Sequence, residues 1–194
     1  PWEHQALIKA RVVGGDIDEK WRESVDKLLS KSAYEWEIPD DLHLKIAHLR
    51  GRKEEELSGE TFEQKNLKEG KGGLLDIEFL TQYLQLKFVQ RFPKLRTTET
   101  LKALEVIGKE ALISQDDVIF LQKAYRWIRQ IETALRLLFD QSVNTLNLNK
   151  AQTLHLETLL RRQGQFNNIP GTLGQTSEKV RLIYEQVMKV DKRT

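Results

Sequence analysis

Between Leu74 and about Phe92 the chain carries Leu74, Leu75, Ile77, Phe79, Leu80, Tyr83, Leu84, Leu86, Phe88 and Val89, which cover nearly every face of a helix. A helix that is apolar all round has to be enclosed by other elements. What encloses it is predicted to be helical too. The 194 residues include 29 Leu against 22 Val plus Ile, with only four Pro, and unbranched Leu suits helices where β-branched residues suit strands. The fold class that follows is all-α, an irregular, non-repetitive bundle of seven or eight helices around the 74–92 element. A chain of this length buries enough surface to fold as a single helical domain over 1–194 without staples. It has no Cys, which removes thiol catalysis, thiolate zinc sites and redox switching, and fits a reducing, cytoplasmic setting.

Around that helix the periodicity places the others. Trp2 to Val13 reads as a helix with Trp2, Ala6, Ala10 and Val13 on one side, closed by Gly14-Gly15. Asp16 or Asp18 caps a second through Leu29, carrying Trp21, Val25, Leu28 and Leu29. Pro39 opens a third that runs to about Leu57. Ser58 to Gly73 holds four of the eleven glycines and no period, so it is expected to be an irregular connection. Thr97 or Thr98, with Thr100, opens a helix to about Ile107 that Gly108 closes. Ser114 starts the longest helix, to about Asp140, with the seam Val118, Leu121, Tyr125, Ile128, Glu132, Leu135 and Phe139. Two more, about 150–162 and 177–190, flank a Gly164 to Gly174 loop. A helical pattern that begins directly after Pro1 leads us to expect a preceding segment.

The charge balance excludes a dedicated nucleic-acid surface: 31 Lys plus Arg stand against 29 Asp plus Glu, spread rather than blocked, for a formal +2. A local +4 over Arg161 to Thr194 can brush an acidic partner, although solvated helix faces look the same. No stretch approaches the ~18 consecutive apolar residues of a membrane helix, so no membrane association is expected. His4, His43, His48 and His155 lack metal-ligand spacing, and no nucleophile motif surrounds any Ser. Asp16 and Asp18 read as caps rather than magnesium ligands, because they open a helix instead of lying on a strand. We expect no catalytic residue and no metal ligand in this chain.

Two features hold more chemistry. Lys68-Glu69-Gly70-Lys71-Gly72-Gly73 places glycines and two ammonium groups just before the buried helix, where free N–H groups attract phosphate. It lacks the Lys-Ser/Thr ending of a P-loop and follows no predicted strand, so taken alone it reads first as a tight turn. Asp76 and Glu78 follow at once. They diverge by roughly 200° on a helix of ~3.6 residues per turn and so serve separate partners, with Lys9, Arg11, Arg126 and Arg129 as candidates. Glu132 sits inside an apolar seam with Arg129 and Arg136 one turn away on either side. Buried carboxylates of this kind need pairing, and replacing Asp76 or Glu132 by Ala is expected to cost about 3 kcal/mol.

The stretches Trp2-Glu3-His4-Gln5-Ala6-Leu7-Ile8-Lys9-Ala10-Arg11, then Lys71-Gly72-Gly73-Leu74-Leu75-Asp76-Ile77-Glu78-Phe79-Leu80 with Gln82-Tyr83, then Ala124-Tyr125-Arg126 with Arg129 and Glu132, resemble the glutamine synthetase adenylyltransferase/adenylyl-removing enzyme family. The middle motif is shared with the related PII uridylyltransferases. The resemblance implies the helical domain of a two-half enzyme, each half a nucleotidyltransferase core followed by helices. His4, where the first half usually has Arg, the 141–147 segment without His or Pro, and the Val180 to Met188 ending resemble the second, adenylylating half. It further implies that the enzyme moves AMP from ATP to a glutamine synthetase tyrosine and removes it by phosphorolysis. ATP and Mg²⁺ would bind an upstream core absent here, leaving this chain inactive and free of cofactor by itself. Glutamine synthetase and a PII-type signal protein are the implied partners.

By the same resemblance Glu3, Lys9 and Arg11 face the nucleotide, with Lys68 and Lys71 as further phosphate-facing cations. Asp76, Glu78, Arg129 and Glu132 are read, from their apolar setting, as structural buried charges. The alternatives are a helical regulatory module of the uridylyltransferase type and a general protein-interaction bundle.

Overall fold

The computed structural model describes residues 2–15, 18–139, 144–148, 150–160 and 166–190. Among them are eight α-helices and one short ribbon: α1 (Trp2–Leu7), α2 (Glu19–Tyr34), α3 (Leu42–Leu57), β1 (Gln64–Asn66), α4 (Leu74–Phe88), α5 (Thr100–Lys109), α6 (Gln115–Phe139), β2 (Thr145–Asn147), α7 (Lys150–Leu160) and α8 (Ile169–Val190). The fold class is all-α. A single 3₁₀ turn, Pro93–Leu95, follows α4. The chain divides into two compact units, Pro1–Leu49 with Glu78–Val118, and Arg50–Ile77 with Ile119–Thr194.

α4 has the enclosure its sequence demands: every residue is buried except Glu78, Lys87 and Phe88, which are half-buried. It ends at Phe88, and Pro93 then enters the 3₁₀ turn, where its missing N–H is harmless.

In the first unit the opening helix is shorter than its apolar spacing predicts. α1 stops at Leu7 and buries Gln5, with Ile8 buried just beyond it, rather than the expected stripe; Trp2 is 61% and Val13 85% exposed. The reason is a polar lock, since Gln5 Nε2 donates to Gln82 Oε1 at 2.7 Å in the interior. α2 is capped by Asp18, whose carboxylate accepts from Lys20 N at 2.7 Å, and runs on to Tyr34. Asp16 lies outside the described residues. Gly108, read as the end of α5, is inside it: a Cβ there would stand 2.9 Å from Gln115 Oε1 and 3.1 Å from Val118 Cγ1. Close helix packing requires that glycine, and Ala111, at φ 51°, takes the left-handed closing position instead.

In the second unit a single apolar cluster joins Leu74 with Trp127, Ile128, Ile131, Leu135, Leu156, Phe166, Ile169 and Leu173. The α6 seam supplies its spine. β1 and β2 pair antiparallel with Lys65 opposite Leu146, a ribbon that the polar 58–73 segment does not advertise. α8 begins at Ile169, eight residues before the expected start. Burial of Ile169 and Leu173 overrides the low helix propensity of Gly171 and Gly174. Asn168, at φ 56°, accepts from Gly171 N at 3.3 Å and holds that first turn. The expected ends of the neighbouring elements at Asp140, Arg162 and Gly164 lie outside the described residues.

Candidate functional site

The glycine turn before α4 is built around Asp76, which is 0% exposed. One carboxylate oxygen accepts from Arg50 Nε at 2.5 Å; the other accepts from Gly72 N at 2.8 Å and lies 3.3 Å from Arg181 Nη1. Arg50, itself 0% exposed, also donates from Nη2 to Gly70 O at 2.8 Å and pairs with Glu54 at 3.3 Å. Arg181 reaches Glu54 Oε2 at 2.9 Å and Glu185 Oε1 at 2.8 Å. Two guanidiniums thus offset the buried Asp76 charge, and Glu54 and Glu185 engage their remaining donors. Burial pushes the Asp76 carboxyl up from its ordinary range, with Arg50 and Arg181 pulling against it. Burial likewise pushes up the neighbouring Tyr184 phenol, which the Asp76 charge reinforces.

The same turn leaves little for an anion to bind. Gly70 N, Gly73 N, Leu74 N and Leu75 N donate to the carbonyls of Asn66, Gly70, Leu67 and Lys68, and Lys71 N donates to Glu60 Oε2 at 3.3 Å. Gly72 N is taken by Asp76. Gly72 sits at φ +70°, and a Cβ on it would stand 1.9 Å from Ser177 O in α8. The glycines therefore serve close packing against the protein's own backbone. Lys68 is half-buried with Nζ 3.2 Å from Glu69 Oε1, and Lys71 is exposed.

Glu132, 2% exposed, is clamped by the two arginines one turn away: Arg129 Nη1 at 2.7 Å and Arg136 Nη2 at 3.0 Å. These partners are 39% and 44% exposed, so this pair faces water on its outer side. Arg129 also donates to Tyr125 Oη at 3.2 Å.

In the first unit, the turn after α1 lies beside a cavity of about 360 Å³ lined by Arg11, Asp26, Ser30, Tyr34, Arg96 and Thr98 over an apolar floor of Leu7, Ile8 and Leu29. Lys9 Nζ donates to Thr98 O at 2.9 Å and Thr100 Oγ1 at 2.7 Å. Gln85, 1% exposed, donates to Leu95 O at 2.7 Å and Thr97 O at 2.8 Å. Two side chains therefore fix the segment that carries Arg96. Burial pushes the Tyr34 phenol up to about 12, against the pull of the Arg96 guanidinium 6.0 Å from its ring. His4 stacks on Trp36 with centroids 4.0 Å apart and donates from Nδ1 to Ser32 O at 2.8 Å, a packing role.

Of the residues singled out in the sequence, Glu3, Lys9 and Arg11 fall in the first unit, with Glu3 and Arg11 exposed. Lys68, Lys71, Asp76, Arg129 and Glu132 fall in the second, and Glu78, in the first, is half-buried. The sequence reading missed both cations that hold Asp76. Arg50 carried a usable signal, because it continues the buried four-residue spacing Leu42, Ile46, Arg50 along α3. Arg181 carried none, being 105 residues from Asp76. Arg96 was missed for a similar reason, since only the fold sets it beside Arg11. Among the described residues no group of three or more His, Asp or Glu could hold a metal ion, and no helix is long and apolar enough to cross a membrane.

Comparison with known proteins agrees with the motifs. The chain is similar to a bifunctional glutamine synthetase adenylyltransferase/adenylyl-removing enzyme of Xanthobacter autotrophicus, at 28% identity over 97% of this chain. It spans 18% of that relative's length. A family model described as GlnD PII-uridylyltransferase matches residues 40–188, which include the glycine turn, Asp76 and its arginines, and the α6 seam. The chain belongs to that GlnD PII-uridylyltransferase family.

Proposed function

We propose that this chain is the helical domain of an enzyme that transfers AMP from ATP to a tyrosine of glutamine synthetase and removes it by phosphorolysis, and that it supports the adenylylating nucleotidyltransferase core. The observation that carries this reading is the similarity along 97% of the chain to a relative named for that activity. The core, with its ATP and Mg²⁺, would lie elsewhere in the longer protein, and the chain by itself would be inactive. Trp2, Val13, Trp21 and Leu28 are each more than half exposed in the first unit, as a surface meant to be covered by another domain would be. Within the site, Glu3 and Arg11 would face the nucleotide, with Lys9 beside them. The turn of Lys68 and Lys71 is the weaker phosphate site, because its N–H groups are already bonded.

A second reading has its own observation: the family model, named for PII uridylylation, matches most of the chain. On that reading the helices serve a uridylyltransferase. Incubating the whole enzyme with α-labelled ATP and glutamine synthetase, and separately with α-labelled UTP and a PII-type protein, tests both. Label on glutamine synthetase from ATP is expected. Label on the PII-type protein alone would favour the second reading, and label on neither would overturn both.

A further inference from the structure

We infer that the cavity of the first unit binds a phosphate monoester that carries hydroxyl groups, with Arg11 and Arg96 on the phosphate. This deepens the proposed nucleotide-facing role of the opening helix and rests on it only for the choice of nucleotide as the first probe. Arg11 and Arg96 both line one cavity of about 360 Å³, within the size range of small-molecule sites. Paired guanidiniums suit the tetrahedral oxygens of phosphate because each offers two parallel donors.

The segment bearing Arg96 is held for the purpose. Gln85 binds the carbonyls of Leu95 and Thr97, and Lys9 binds the carbonyl of Thr98 and the Thr100 hydroxyl. Lys9, with its ammonium so engaged, is a positioning residue, and Arg96 takes the place beside Arg11 that the sequence suggested for Lys9. The nearest carboxylate to Arg96, on Glu35, is 3.9 Å away, too long to bind its donors fully.

The rest of the lining says what else the ligand carries. Asp26 is an acceptor-only group when ionised, and it would repel a bare anion. Beside Ser30 it suits a ligand that presents hydroxyl donors, such as a ribose. The Tyr34 ring and the floor of Leu7, Ile8 and Leu29 supply an apolar surface for the remainder.

The test is titration of the chain with inorganic phosphate, ribose 5-phosphate, AMP and adenosine, followed by calorimetry. AMP and ribose 5-phosphate should bind one to one, phosphate more weakly, and adenosine not at all. Arg11→Gln and Arg96→Gln should each weaken AMP by about tenfold or more, the scale of one charge-assisted hydrogen bond, with Lys at either position restoring part of it. Asp26→Asn should weaken the two esters while tightening phosphate. Both arginines are exposed, and unchanged circular dichroism would show that the variants fold. Failure of every phosphate compound to bind, or binding indifferent to both arginines, would overturn the site. No binding by the unaltered chain, with AMP transfer by the whole enzyme intact, would sink this site alone; binding by the unaltered chain without any AMP transfer would sink the adenylyltransferase reading alone.

Discussion

Arg50, midway along α3, and Arg11, just beyond α1, carry the same guanidinium, yet their surroundings are opposite. Arg50 is 0% exposed and engages Asp76, Glu54 and the Gly70 carbonyl, while Arg11 is exposed at the edge of a cavity. The glycine turn of the second unit is close to a closed circuit: its carboxylates, guanidiniums and N–H groups engage one another, with Arg50 Nη1 meeting Glu54 as an ion pair rather than a hydrogen bond. The first unit instead leaves guanidiniums and an apolar floor around open space. Glycine with lysine in a sequence therefore does not mark a phosphate site by itself. What matters is whether protein oxygens already occupy the N–H groups.

The comparison breaks most readily at Asp76. Asp76→Ala leaves buried Arg50 without its main partner and should destabilise the chain by about 4 kcal/mol, read in urea melts. A loss below about 1 kcal/mol would mean that the circuit holds little of the fold. Gly72→Ala comes next, at about 3 kcal/mol, because its Cβ collides with Ser177 O and the φ is left-handed. An unaffected Gly72→Ala protein would show that α8 does not seat on the turn.

Tyr34 sharpens the other side. Its folded pKa of about 12 lies above the ordinary 10.0, so its contribution is fully present below pH 10 and is lost as the pH rises through about 12. That loss should reach about 3 kcal/mol, and Tyr34→Phe should flatten the slope. A phenol that titrates near 10 in the folded chain would mean that the cavity floor is wet. Glu132→Ala should have the smallest effect, about 1 kcal/mol rather than the 3 expected from sequence, because Arg129 and Arg136 can turn to water. A cost matching that of Asp76→Ala would erase the distinction between a sealed charge and one with exposed partners.

The legibility of this molecule follows the range of the forces involved. α4 and α6 were readable because an apolar face and its seam are local patterns, and Glu132 was readable because its partners lie three and four residues away. Local polar exceptions defeated the same reasoning in α1, where Gln5 rather than Ala6 turns inward to meet Gln82. The β1–β2 ribbon, at three residues a strand and with its halves far apart in sequence, left no periodic trace. Long-range electrostatics were invisible in the same way: Arg181 finds Asp76, and Arg96 joins Arg11, only through the fold.

The distinction between a charge that serves the fold and one that serves a ligand is tested most directly by Arg11→Glu in the whole enzyme, measuring melting and AMP transfer to glutamine synthetase together. We predict an unchanged melting transition and a fall in transfer on the order of a hundredfold, the scale of removing one preorganised donor to a developing anion. Transfer at the unaltered rate in the folded variant would contradict the account.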